Sequence, residues 1–118
     1  MNQYSLNIKP EMQHIDYKSI DSQPSFTKSI VLCQNLSGLD DKQVTGKEGV
    51  VNDIAQWSRI KGGHHFFPQD KLNVFMDLCG NEAPLLWLAR SRGYNLIERE
   101  SETERKFRIE KEAREELE

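Results

Sequence analysis

A chain of 118 residues with 36% hydrophobic side chains can bury one modest core and still leave tails at either end. No apolar run approaches the roughly 20 residues of a membrane span, and the opening MNQYSLNIKPEMQH lacks the basic-then-apolar layout of a secretory signal, so no membrane partner and a cytoplasmic location are expected. The net charge of −3 argues against nucleic acid only until it is located: residues 96–118 hold nine acidic and six basic side chains, whereas Lys42, Lys47, Arg59, Lys61 and Lys71 face only Glu48, Asp53 and Asp70 in the centre, with His64 and His65 beside them.

Residues 1–24 show no sustained period and read as an irregular, flexible arm, within which Tyr4, Leu6 and Ile8 alternate like a short strand able to pair with a partner subunit. From Ser25, a natural cap, Phe26, Ile30, Cys33 and Leu36 recur at three- and four-residue spacing and predict a helix ended by Gly38. A second helix is expected from Asp40 as cap, with Gln43 completing an acidic variant of the capping box, to about Glu48, with Gly49 closing it. Asn52 or Asp53 caps a third, IAQWSRIK, whose Ile54 and Trp57 should point inward against Val44; Val50 or Val51 packs at the preceding turn, and Gly62-Gly63 stops the helix. Pro68 opens a fourth helix, with Leu72, Phe75, Met76 and Cys79 as its apolar stripe and Gly80 at its end. Asn81 caps a fifth, in which Glu82 complements the positive helix end and Leu85, Leu86, Leu88 and Ala89 pack before Gly93.

The remaining ESETERKFRIEKEAREELE consists largely of helix formers, with opposite charges four apart at Glu102 and Lys106 and at Glu110 and Arg114. Ile109, Ala113 and Leu117 align at four-residue intervals, which leaves both a solvated helix and a dimerising coiled coil open. The fold expected is therefore all-α: five helices in a domain over residues 25–95, an arm before it and a charged helical tail over 96–118. Cys33 and Cys79 are the only cysteines and lie among aliphatics, so both are expected to be buried and reduced.

Two short helices about a glycine turn, the second flanked by basic residues, form the layout of a DNA-binding helix-turn-helix. Such a second helix must bury one face and offer the other to base edges. Asn52, Asp53, Gln56 and Arg59 are the candidates for base contacts, because amides pair with adenine and arginine with guanine, each pair discriminating by about 1–3 kcal/mol. Lys42, Gln43, Lys47, Ser58, Lys61 and His64 suit phosphate contacts, which add affinity without sequence information.

The run DDKQVTGKEGVVNDIAQWSRIKGGHHFFPQDKLNVFMDLCGNEAPLLWLARSRGY, residues 40–94, resembles the helix-turn-helix regulators of temperate phages and prophages, in the broad lambda-repressor-like class. The resemblance lies in the DKQV helix before a glycine turn, the helix ending in WSRI, and the later, more specific FP.DKL..FMDLCGNE.PL.WLA..RGY pattern. It implies a small transcription regulator in a bacterial host, bound to double-stranded DNA as a homodimer, with the Trp57-Ser58-Arg59 helix as recognition element. The segment from Gly49 to Trp57 is one or two residues longer than these regulators lead one to expect, and Thr45-Gly46 replaces an alanine-like contact, so which side chains reach the groove stays open.

Leu86, Trp87 and Tyr94, with Ile109 and Leu117 of the tail, are the candidate dimer contacts. The acidic tail either repels phosphate, weakening nonspecific binding, or meets a partner such as RNA polymerase or another phage regulator. No metal is expected at His64-His65, since adjacent histidines do not readily converge on one ion and nothing completes a ligand set. No cofactor and no catalysis are expected either: there is no nucleophile elbow, and Gly62-Gly63 follows a helix instead of opening one. The competing reading is a protein-interaction module, such as an antirepressor acting on another regulator.

Overall fold

The structure, a computed structural model, describes residues 11–99 and 102–117. Its described elements are α1 (Tyr17–Asp21), α2 (Phe26–Ser37), α3 (Asp41–Val44), α4 (Ile54–Lys61), α5 (Leu72–Cys79), α6 (Ala83–Ser91) and α7 (Glu102–Leu117), with a 3-10 turn over Gln69–Lys71. Among the described residues the fold is all-helical, with seven helices: the five expected over residues 25–95, the expected tail helix, and α1, which was not expected.

Helix α2 begins where expected, since Ser25 accepts the amide of Lys28 at 3.2 Å, and it turns Ile30 and Cys33 into the core. It is the hub of the fold: α4, α5 and α6 pack on it, α1 packs on α6 and α3 on α4. The buried cluster joins Ile30, Val44, Trp57, Ile60 and Phe75, with an aromatic trio of Trp57, Phe67 and Phe75 at centroid separations of 5.3–6.1 Å. Asn81, fully buried, ties α2 to the start of α6: its amide donates to the Cys33 carbonyl at 3.0 Å and its oxygen accepts from Ala83 N at 3.2 Å.

Residues 11–24, read as irregular arm, belong instead to the body. Gln13 N donates to the Gly80 carbonyl at 2.7 Å, Asp16 caps α1, and Ile15 and Ile20 are buried in the core. Helix α1 is too short to show a period, which is why the pattern missed it. The strand expected at Tyr4, Leu6 and Ile8 lies outside the described residues.

The second expected helix also differs. Its capping box forms, Asp40 with Gln43, but α3 stops at Val44 instead of running to Glu48. Thr45 is extended and its hydroxyl donates back to the Asp41 carbonyl; Gly46 takes a φ of 101°, where a side chain would be strained. The chain then folds back, Val50 N donating to the Val44 carbonyl and Gly46 N to the Val51 carbonyl, both at 2.8 Å. Gly49 is pressed against this return, where a Cβ would fall 2.5 Å from the Val44 carbonyl oxygen. Burial of Val44, Val50 and Val51 together outweighs the helix propensity of Lys47 and Glu48. The connector between α3 and α4 is thus a closed loop over residues 45–53.

Candidate nucleic-acid interface

Helix α4 starts as the sequence suggests, with Asp53 accepting the Gln56 amide at 2.6 Å. Trp57 turns inward as expected, but Ile54 does not: at the first helical position it is 41% exposed, and Ile60, a three-residue step beyond Trp57, takes the second inward place. Helical phase alone would admit either isoleucine; packing decides, because α4 sets Trp57 and Ile60 in the core cluster against α2 and leaves Ile54 at the rim.

A polar chain fixes this orientation. Buried Gln34 of α2 accepts the Trp57 indole N–H at 3.0 Å and donates to the Asp41 carboxylate at 2.9 Å, and Asp41 accepts Lys61 Nζ at 2.7 Å. Trp57, Gln34, Asp41 and Lys61 therefore lock α4, α2 and α3 together. Hydrogen bonding from Lys61, and secondarily from Gln34, holds the Asp41 carboxyl below its ordinary 3.8. Nothing in sequence spacing pairs Gln34 with Trp57; the available signal was an amide within the apolar stripe of α2.

With the inner face occupied, Ala55, Ser58 and Arg59 form the exposed face of α4. Of the expected base contacts, Arg59 and Asn52 are exposed and Gln56 is half-buried at the helix edge. Asp53 is exposed, but its carboxylate is engaged as the α4 cap, which gives that side chain a structural role. Ala55 was missed; its signal was position alone, one three-residue step before Ser58.

The expected phosphate contacts divide in the same way. Lys42, Lys47, Ser58 and His64 are exposed, whereas Gln43 is engaged in the capping box and Lys61 is half-buried and ion-paired with Asp41. Among the described residues neither Lys47 nor Arg59 forms an ion pair. The dimer candidates separate too. Trp87 donates its indole N–H to the Gln23 carbonyl at 2.8 Å and stands edge-on to Phe26, and Leu86 packs against the core, so both serve the fold. Tyr94 and Ile109 are exposed, and the Leu117 side chain lies outside the described residues.

Elsewhere on the surface, Arg90 of α6 forms a two-pronged pair with Asp21 and lies 4.1 Å from the Tyr17 ring centroid, which closes α1 onto α6. Cys33 and Cys79 are free thiols, both buried. No helix among the described residues is long and apolar enough to cross a membrane. No family model, curated protein or solved structure matches this chain.

Proposed function

We propose that this chain is a sequence-specific, double-stranded-DNA-binding transcription regulator that acts as a homodimer on a paired operator, in the circuit of a phage, prophage or other mobile element. The observation that carries the reading is the division of α4: Trp57 and Ile60 are buried and pinned, while Ala55, Ser58 and Arg59 face outward on a rigid support. A recognition helix needs that division, because its readers must be held in register by residues that do not themselves meet DNA. Arg59 offers the two-pronged donor that suits guanine, and the small Ala55 permits close approach and contact with a thymine methyl. The phage setting rests on the resemblance of residues 40–94.

Selection from random duplex DNA followed by sequencing tests this reading and names the operator. On the selected site, Arg59→Ala should weaken binding by about 1–3 kcal/mol without altering the fold, since that side chain is exposed. Unchanged affinity would remove α4 from the role of reader. A protein-interaction module, such as an antirepressor, draws support from one observation, the Phe66 ring, which is 99% exposed just beyond α4. If selection enriches no DNA and Phe66→Ala abolishes capture of a regulator protein, that second reading replaces the first.

A further inference from the structure

Cations near α4 are treated in two ways. Lys61 is balanced by Asp41 and, farther off, Arg90 by Asp21. Lys47 and Lys71 have no ion pair among the described residues, and both line one groove of ≈ 260 Å³. Lys47 comes from the loop before α4 and Lys71 from the 3-10 turn before α5, 24 positions apart in sequence, so only the fold brings them together. Asn52 and Gln56 line the same groove with amides, the backbone of Gly46 and Gly49 forms part of its wall, and no carboxylate is among its lining residues.

Two lysines bordering one concavity that has no carboxylate in its lining make a surface suited to an anion with several acceptor oxygens. We propose that this groove is a phosphate site and that its occupant is a backbone phosphate of duplex DNA, placed at the N-terminal end of α4. The inference rests on the DNA-binding reading and extends it to Lys71, which lies outside the helix pair. Geometry favours DNA over a free anion. The eight residues of α4 span about 12 Å, close to the width of the major groove. With Ala55, Ser58 and Arg59 toward base edges, the N-terminal end of α4 comes beside the phosphates of one strand. Lys47 and Lys71 then fix the register of α4 on the duplex without reading bases.

The test uses the full chain and its selected duplex, with affinity measured by fluorescence anisotropy between 50 and 200 mM KCl. Lys47→Ala and Lys71→Ala should each flatten the slope of log affinity against log salt by about 0.9, and should weaken binding to unrelated duplexes by the same factor as to the operator. The gap from the unaltered chain should therefore narrow about 3.5-fold across that salt range. Lys18→Ala, at an exposed lysine of α1, should leave slope and affinity unchanged. If Arg59→Ala weakens operator binding while both groove variants keep the original slope, the phosphate assignment is overturned and the DNA-binding reading stands. If the unaltered chain binds no duplex, both fall. Should inorganic phosphate shift the amide resonances of Gly49 and Asn52 while the groove variants bind DNA normally, the site belongs to a free anion and the DNA assignment is overturned. Both lysines are exposed, and neither has an ion pair among the described residues, so the variants should keep the unaltered thermal midpoint.

Discussion

Helices α4 and α7 present opposite cases of what holds a helix in place. At eight residues, α4 is far shorter than the roughly 12–15 that an isolated helix needs even to be marginal in water, yet it carries two buried side chains and a side-chain cap. At 16 residues, α7 is twice as long, and every side chain described on it, over residues 103–116, is exposed. Its support includes pairs one turn apart, Arg108 with Glu112 at 3.2 Å and Arg114 with Glu110 at 3.9 Å, each contributing a few tenths of a kcal/mol. Packing therefore fixes where α4 points, whereas local propensity and solvated charge sustain α7. Only the first arrangement can hold a functional face in a defined orientation.

The sharpest break in that contrast is Trp57→Ala. Removing a fully buried indole from the aromatic trio should cost about 3–5 kcal/mol, read as a lower midpoint in urea for the whole body. A loss below about 1 kcal/mol would mean that α4 is not held by its inner face. Gln34→Ala comes next, at about 1–3 kcal/mol, because it strands the Trp57 indole N–H in a buried site. In a Trp57→Phe background, where that donor is gone, the same change should cost less, and the difference isolates the hydrogen bond.

How much of this was legible in sequence follows the same division. Helix starts marked by a side chain that can cap, Ser25, Asp40 and Asp53, were readable because the cap is a local bond three residues long. The end of α3 was not, since it depends on Val50 and Val51 returning to Val44, a closure that a helical period does not encode. Ile54 and Ile60 show the limit most clearly: each lies three residues from Trp57, so both fit an inward face, and only the packing of α2 decides between them. The candidate site inherits that ambiguity. Arg59 was found from its chemistry, whereas Lys71 joins Lys47 only once the connector and the 3-10 turn are placed beside each other.

A smaller effect probes the charged end of the Gln34 network. The Asp41 carboxyl is depressed in the folded state, so its contribution is present at and above ordinary carboxylate pH and is lost as acid drives the pH down through the folded value. The stability gap between the unaltered chain and Asp41→Asn should thus be constant above about pH 5 and close below the ordinary 3.8. With both partners partly exposed, the gap should stay under about 1 kcal/mol and shrink in high salt. A gap that widens in acid would mean that the folded carboxyl is raised instead of lowered.

Removal of residues 100–118 should have the smallest effect on the body. If α7 is held only by its own pairs, the truncated chain should unfold at the same urea midpoint to within about 0.5 kcal/mol, while far-UV ellipticity falls by the share that the tail contributes. In the intact chain, raising salt to about 1 M should reduce that share, because exposed pairs one turn apart are screened. The same truncation also decides what the tail does for assembly. If Ile109 lies in a dimer seam, deletion should turn a dimer into a monomer by sedimentation and make the thermal midpoint of the intact chain, but not of the truncated one, depend on concentration. If both chains sediment as dimers with equal midpoints, the tail is a solvated helix and the contacts between subunits must come from the body, where Tyr94 is the exposed candidate that remains.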